Sequence, residues 1–496
     1  MSGIVYLVGA GPGDPGLLTL RGAELIKKAE VLVHDYLAAP ELLKLAPPDC
    51  RLIYVGKQAS RHALPQAEIN QLLLREARAG FRVVRLKGGD PYIFGRGGEE
   101  ALELARAGLA FEVVPGVSSA VAAAAYAGIP LTHRDLSSQA VLITGHERPD
   151  KAASAHDWPA LAKMGTLVMV MGVAGLAESC RALVEAGRAG ATPAALIQWG
   201  TTSRQRTVIA TLADLPARAT AEGLGPPALL VVGEVVKLRP ELNWFEKRPL
   251  FGRRILVTRG PGRAGRLAAA LTELGAEVWE RPTIATEALI NAAGLEKTFQ
   301  SLADRRWLIF TSPTGAEIFL QTLFGSGRDA RALGGLKIAA IGPGTAEALT
   351  PFGLKADLVP AEHVAEGLLA ALVETGVAGA KILLARGRDG REVLPEGLAR
   401  AGAEVEDLSL YATSRPAWAE PLPGRPDLVT FTSSSTALGL AARMPVEERV
   451  NFPAASIGPV TSQTARELGF PVAAEAGSAS VTGLVEAVLG YFGPRP

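Results

Sequence analysis

The sequence predicts an α/β protein made of several layered units, and three observations carry that prediction. Short β-branched runs alternate with Ala- and Leu-rich helical runs along all 496 residues. Apolar residues make up 48% of the chain but aromatic residues only 5%, with Gly and Ala abundant, which favours close-packed helix-on-sheet layers over an aromatic-rich sandwich. The length, at roughly 100–200 residues per domain, calls for about three or four compact units.

Taken in order, residues 4–8, 31–34, 83–86, 140–144 and 166–171 read as buried strands of the first half. In the second half the same pattern falls at 255–258, 308–311, 337–341, 381–385, 428–432 and 454–457. Amphipathic segments of helical length lie between them at 17–29, 66–79, 98–107 and 263–274, so the sheets are expected to be largely parallel. A boundary falls in LRPELNWFEKRPLFG, residues 238–252, where prolines, clustered charges and Trp244 and Phe245 separate a strand-like run from RRILVTRG. We read 245–250 as a linker whose flanking aromatics dock on a neighbour. In the second half FTSPTGAEIF is answered by FTSSSTALGL, and AAIGPGTAEAL by ASIGPVTSQTA; a repeated strand–loop–helix element implies two similar lobes around a cleft.

Charge and cysteine content exclude several classes of function. A net charge of +1 leaves no electrostatic footprint for nucleic acid, so an anionic ligand must meet local basic clusters. Cys50 and Cys180 are far apart and in no metal-like spacing, so neither a disulfide framework nor a metal site is expected, and a reducing, cytoplasmic compartment follows. The N-terminus lacks the pattern of a signal peptide, and the apolar stretches at 117–131 and 166–177 are too interrupted and short to span a bilayer.

The first loop, VGAGPGDPG, follows a strand and satisfies GxGxxG through Gly11, Gly13 and Gly16. Pro12 and Pro15, however, remove two N–H groups from the turn that would cradle a pyrophosphate, which disfavours a nicotinamide oxidoreductase. Two more strand–turn–helix units follow, RLKGGDPYIFGRGGEE at 85–100 and VVPGVSSAVAAAAYAGIPLTHR at 113–134. Strand ends lined with small residues admit a flat or extended ligand, and a carboxylate such as Asp90 suits a ribose or an amino group.

GAGPGDPGLLT, VLVHD, RLKGGDPYIFGRGGEE, PGVSSA, GIPLTHR and TLVMVMG, in this order, resemble the tetrapyrrole methylases, and within them uroporphyrinogen-III C-methyltransferase, over about residues 3–244. The resemblance implies a two-lobed fold (about 1–114 and 115–244) and S-adenosylmethionine in the crevice between the lobes. Pro12, Gly88, Gly89, Asp90, Ile93, Ser118, Ser119, Met171 and Gly200 match its cofactor-contacting positions. Two departures stand out: Ser118-Ser119 where the family more often has Thr-Ala, and Val170-Met171-Gly172 for its usual Tyr-Met-Gly. Asp35 and Lys57 match the positions proposed as proton acceptor and donor, although a turn cap and a surface lysine are equally ordinary uses of such residues. Arg85, Arg96 and Arg134 stand close enough to these motifs to meet substrate carboxylates. The resemblance also implies a homodimer through this half.

LVTRG, FTSPTG, IGPGTA, LYATSRP, FTSSS and IGPVTSQTARELG resemble uroporphyrinogen-III synthase across 251–496. That likeness implies two α/β lobes joined by extended crossings near 281–286 and 408–413: lobe one from 251–282 plus 413–496, lobe two from 286–410. The implied substrate is hydroxymethylbilane, the implied product uroporphyrinogen III, which the first half would methylate. Tyr411 matches the tyrosine the family favours for helping the leaving hydroxyl. Thr311, Ser312, Thr345, Thr432, Ser433 and Thr461 sit in hydroxyl-rich turns able to hold carboxylates, with Arg259 and Arg386 as basic candidates just after strands. Two other readings stay open on the residues alone: a methyltransferase for a later corrin precursor, and a second half that binds tetrapyrrole without catalysis.

Overall fold

The computed structural model describes residues 3–36, 39–56, 64–145, 156–259, 264–289, 292–418 and 421–494. The chain divides into two units, Met1–Gly252 and Arg253–Pro494. In the first, Ile4–Gly9 (β1), Val31–His34 (β2), Arg51–Tyr54 (β3), Arg82–Lys87 (β4) and Ala110–Val114 (β5) form a parallel sheet in the order β3-β2-β4-β1-β5. Its strands β1 and β2 read as largely apolar runs because both faces of the sheet are covered. Val5, Leu7, Val31, Val33 and Val83 enter one core, whereas Val8, Leu32, Val84 and Leu86 enter another, as a period of two requires.

Ala140–Thr144 (β6), Thr166–Val170 (β7), Pro193–Gln198 (β8), Arg206–Thr211 (β9) and Ala228–Val232 (β10) form a second sheet, ordered β6-β7-β10-β8-β9. Here the expectation of largely parallel pairing fails. Only β6 and β7 run parallel; β10 is antiparallel to both β7 and β8, and β8 to β9. The connection 199–205 is too short for a crossover helix, so β9 must turn back on β8. The helices expected at 66–79 and 98–107 form at Gln66–Arg78 and Gly97–Arg106. The one expected at 17–29 is shorter, Leu20–Ile26, because the Thr19 hydroxyl accepts the Gly22 N–H at 3.1 Å and starts a helix there, after a separate 3₁₀ turn at Pro15–Leu17.

The residues around the expected linker belong to the first unit. The Phe245 ring lies 4.7 Å from that of Tyr126, the Trp244 indole donates to the Ala125 carbonyl at 3.2 Å, and Glu246 accepts from Gln205 and Thr207 at 2.9 and 2.7 Å.

The second unit holds two five-stranded sheets. Arg254–Val257 (β11) and Glu277–Glu280 (β12) begin it, followed by Ala285–Ala288 (β13), Trp307–Phe310 (β14), Lys337–Ala340 (β15), Lys381–Gly387 (β16) and Glu404–Ser414 (β17). Leu428–Phe431 (β18), Ala454–Ser456 (β19) and Val472–Glu475 (β20) complete it. The sheets are ordered β12-β11-β18-β19-β20 and β13-β17-β16-β14-β15, so the first is assembled from both ends of the unit and the second from its middle. The two passages between them are antiparallel neighbours, Ala285 opposite Ser414 and Ala288 opposite Tyr411. β17 therefore continues to Ser414, past residue 410, because β13 gives it a pairing partner. The sequence repeat corresponds to strand–turn–helix units: β14 leads into Pro313–Gly325 and β18 into Ser434–Ala441, β15 into Pro343–Glu347 and β19 into Pro459–Glu467.

Candidate functional site

In the first unit the loops after β1, β4 and β5 interlock. Gly11 and Gly89 exchange N–H···O bonds of 3.2 and 2.7 Å. A Cβ on Gly9 would lie 2.5 Å from the Gly116 Cα, so no larger residue fits where these backbones cross. Asp90 accepts from the N–H groups of Tyr92, Ile93 and Gly116 at 2.8, 3.1 and 3.0 Å. Most of its acceptor capacity thus fastens the loop after β4 to the loop after β5, with one acceptor site remaining. The loop after β1 also meets the loop after β8. The Asp14 N–H donates to the Thr201 hydroxyl at 3.1 Å, and the Tyr126 hydroxyl donates to the Asp14 carboxylate at 2.7 Å. Burial first, then this carboxylate, pushes the Tyr126 phenol well above its ordinary pKa, so it stays a donor.

Of the expected cofactor residues, Pro12, Gly88 and Gly89 lie in these interlocked loops; Ser118 caps the helix Ser119–Tyr126 through the Ala120 N–H at 3.3 Å, and Ser119 is exposed. Gly200 abuts Ala123 so closely that a Cβ would collide with its side chain. Ile93 and Met171 are 42% and 52% exposed, apolar surface with room for a ligand. Phe94, Arg96, Met171, Trp199 and Thr201 all have positive φ, between 51° and 70°. Non-glycine residues in that region store strain, and among the described residues they occur only in loops that follow β4, β7 and β8.

Beside these loops, at the end of β2, Asp35 meets a buried charge cluster. Arg85 reaches Asp35 at 3.4 Å and Glu100 at 3.3 Å; Lys87 reaches Glu100 at 2.9 Å, and Gln66 donates to Glu100 at 3.1 Å. Arg85 is 4% exposed and Glu100 fully buried. Arg85 is thus not a surface clamp for substrate, as expected, but an internal support for Asp35; β4 points it inward, where only ion pairing makes its burial tolerable. Burial, then Arg85, holds the Lys87 ammonium below its ordinary pKa, with Glu100 opposing. Lys57 lies outside the described residues. Arg96 forms an exposed two-toothed pair with Glu99, and Arg134 is exposed. Glu100 is not among the residues expected from the sequence, although Gly97, Glu100, Ala101 and Leu104 form one buried helical stripe that marks it as inward-facing. Nor are Tyr36 and Trp199, whose rings meet edge-on at 6.2 Å, with the Arg204 guanidinium 4.2 Å from the indole.

In the second unit Tyr411 and Ser312 come together, hydroxyl to hydroxyl at 2.8 Å. Thr311 and Thr432 are half-buried at the ends of β14 and β18; Ser433 begins the helix Ser434–Ala441, its N–H bonded to the Thr436 hydroxyl at 3.3 Å. Arg259 is half-buried after β11. Three expected contacts are corrected. Thr345 and Thr461 are 3% and 6% exposed, turned into the fold by the first turns of their helices. Arg386 is 5% exposed and bonded to Asp407, Glu392 and the Gly390 and Arg391 carbonyls, so no donor is left for a ligand. Those partners, Asp407 foremost, raise its pKa further.

Among the described residues no group of His, Cys, Asp or Glu could hold a metal ion, and no helix is long and apolar enough to cross a membrane. Both cysteines are free thiols, and burial pushes Cys180 up to about 11.

Each unit thus gathers its candidate residues in loops at strand ends, the arrangement of an α/β protein of two parts. The model of the tetrapyrrole (corrin/porphyrin) methylases matches residues 4–216, and that of uroporphyrinogen-III synthase HemD matches 265–486. A porphyrin biosynthesis protein HemD of Ruminiclostridium josui is 38% identical over 94% of this chain and 94% of its own length. A uroporphyrinogen-III C-methyltransferase of Bacillus subtilis is 42% identical over 67% of this chain and 68% of its own. A uroporphyrin-III C-methyltransferase structure from Thermus thermophilus, complexed with S-adenosyl homocysteine, is 43% identical and covers 48% of this chain and 100% of that one, with a TM-score of 0.41. The chain therefore belongs to the tetrapyrrole methylases through its first half and to the uroporphyrinogen-III synthases through its second, a methyltransferase fused to a synthase domain in tetrapyrrole biosynthesis.

Proposed function

We propose that the second half cyclises hydroxymethylbilane to uroporphyrinogen III with inversion of ring D, and that the first half methylates this product twice to precorrin-2. The supporting observation is that one chain carries both a methylase unit in which Arg85 holds the Asp35 carboxylate at a strand end and a synthase unit with Tyr411 in the strand that connects its sheets.

In the first half, the crossing of Gly9 and Gly116, the Gly11–Gly89 pairing and the exposed Ile93 and Met171 leave a cradle suited to an extended ligand with an apolar stem. Pro12, Gly88, Gly89, Ile93, Ser118, Ser119, Met171 and Gly200 would hold S-adenosylmethionine there, with the remaining acceptor site of Asp90. When bound, that cofactor supplies an electrophilic methyl group. The protein aligns a pyrrole carbon with it, which can provide much of the acceleration. Asp35, held by Arg85, takes the proton the ring must lose. Arg96, Arg134 and Lys57 are proposed to meet substrate carboxylates or return a proton.

In the second half, Thr311, Thr432, Ser433 and Arg259 are proposed to hold the folded bilane while Tyr411 assists loss of its terminal hydroxyl. We propose the partition into 251–282 plus 413–496 and 286–410; the order of the two sheets supports it, with β17 spanning the second crossing. We further propose a cytoplasmic homodimer associated through the first half, to be weighed by light scattering of the intact protein. The direct test of the first half is titration with S-adenosylmethionine by calorimetry, then absorbance of the product from supplied uroporphyrinogen III. Binding followed by a dipyrrocorphin-like spectrum supports the reading; binding without turnover would send the methyltransferase to a later corrin precursor.

A further inference from the structure

The hydroxyl of Ser312 sits between two partners. Its oxygen accepts the Gly315 N–H at 3.0 Å, which caps the helix Pro313–Gly325, and it lies 2.8 Å from the Tyr411 hydroxyl. A serine hydroxyl has one proton to give. With the cap occupying an acceptor site, that proton can go to the phenol oxygen, and then the phenolic proton is free to leave toward a ligand. With the opposite polarity the phenolic proton would be spent on Ser312.

The tyrosine is also held on its other side. The β16–β17 register shifts between Arg386 and Gly387, so that Arg386 lies opposite Ser409 but Gly387 opposite Tyr411. At Gly387 a Cβ would stand 2.8 Å from the Tyr411 Cζ and 3.1 Å from its hydroxyl oxygen, so the ring lies against a position that only glycine can fill. Arg386, clamped by Asp407 and Glu392, fixes the bulge, and the Arg388 N–H holds the Tyr411 carbonyl at 2.8 Å.

We propose that Ser312 is a positioning residue of the synthase: it donates its hydroxyl proton to the Tyr411 oxygen, orienting the phenolic proton toward the leaving hydroxyl of the bilane, while Gly387 seats the ring. This rests on the synthase reading of Tyr411. In the step it serves, the C–O bond of the terminal hydroxymethyl group breaks and the phenolic proton departs with the hydroxyl as water. The pyrrole stabilises the methylene cation. The phenolate, steadied by Ser312, recovers a proton when the carbon that closes the ring loses its hydrogen.

The test is steady-state formation of uroporphyrinogen III by the full chain carrying Ser312→Asp, Ser312→Thr, Tyr411→Phe or the double change Ser312→Asp/Tyr411→Phe. Asp caps a helix as well as Ser does but in its ionised form cannot donate. Ser312→Asp should therefore keep the melting temperature and KM while lowering kcat roughly 10–100-fold, the loss of one hydrogen bond to a developing charge. Ser312→Thr, which keeps both cap and donor, should retain kcat within about threefold, since its donor geometry is preserved. The double variant should be no slower than the slower single one. Full kcat in Ser312→Asp, or multiplying effects in the double variant, would overturn the role of Ser312 while leaving Tyr411 in place. An unchanged kcat in Tyr411→Phe would overturn both together.

Discussion

At the scale of single residues, chemistry and support are separated by burial. Asp35 keeps some solvent contact while Arg85, Glu100 and Lys87 behind it do not, so each change reports on a different function. Asp35→Asn should slow methyl transfer about 10²-fold or more with little effect on cofactor affinity, read as S-adenosylhomocysteine formation against calorimetric binding. Glu100→Ala instead strands two buried cations and should cost roughly 3–5 kcal/mol in denaturant unfolding of the first half. Met171→Gly relieves a φ of 56° on a half-exposed side chain. It should stabilise this half by about 0.5–1 kcal/mol, strain relief less the added chain entropy, yet weaken S-adenosylmethionine binding. Motifs single out Asp35 and Tyr411 in the sequence, whereas Arg85 and Arg386, expected at ligand carboxylates, are buried in ion pairs. Both are basic residues in or at the ends of strands beside ligand loops, and which face a strand side chain takes depends on pleat and bulge. Arg386 lies at such a bulge.

Elements were legible in proportion to how completely they are buried. The strands β1, β2 and β14 are mostly buried apolar residues and stand out in the chain. By contrast β13, ATEA, has three exposed residues of four, and β20, VAAE, alternates between half-buried and exposed with Val472 its one large apolar residue, so neither carries a long hydrophobic run. The antiparallel partners in the second sheet were misread for another reason: strand direction is set by connection length and tertiary pairing, not by composition. One pair of elements gives a sharp test. Asp427, just before β18, accepts from the Arg254 backbone N–H at 2.8 Å and pairs with its guanidinium at 2.9 Å, tying together strands from opposite ends of the second unit. Burial pushes the Asp427 carboxyl up, but the Arg254 side chain and N–H outweigh it and hold the group below its ordinary value. Because the folded-state pKa is depressed, this contribution is complete above the ordinary aspartate value of about 4 and is lost as pH falls through the folded value. Asp427→Asn should cost roughly 1–2 kcal/mol at neutral pH, partly screened by solvent, with the difference from the parent vanishing in acid unfolding curves.

At the scale of the whole molecule, two consecutive reactions are proposed for two units of one chain, the product of the second unit being the substrate of the first. Asp35→Asn should then leave uroporphyrinogen III formation at the parental rate, and Tyr411→Phe should leave methylation of supplied uroporphyrinogen III untouched. In the sequence the division into two halves rests on motifs that lie in order within each half and on the strand–turn–helix unit that the second half repeats. The discontinuous assembly of its first sheet was not readable from the repeat, since a local repeat carries no information on which distant strands pair. The most direct measurement is anaerobic incubation of the intact protein with hydroxymethylbilane, with and without S-adenosylmethionine, followed by isomer analysis and absorbance. The account requires type III uroporphyrinogen without the cofactor and precorrin-2 with it; only the type I isomer, formed at the spontaneous rate, would contradict it.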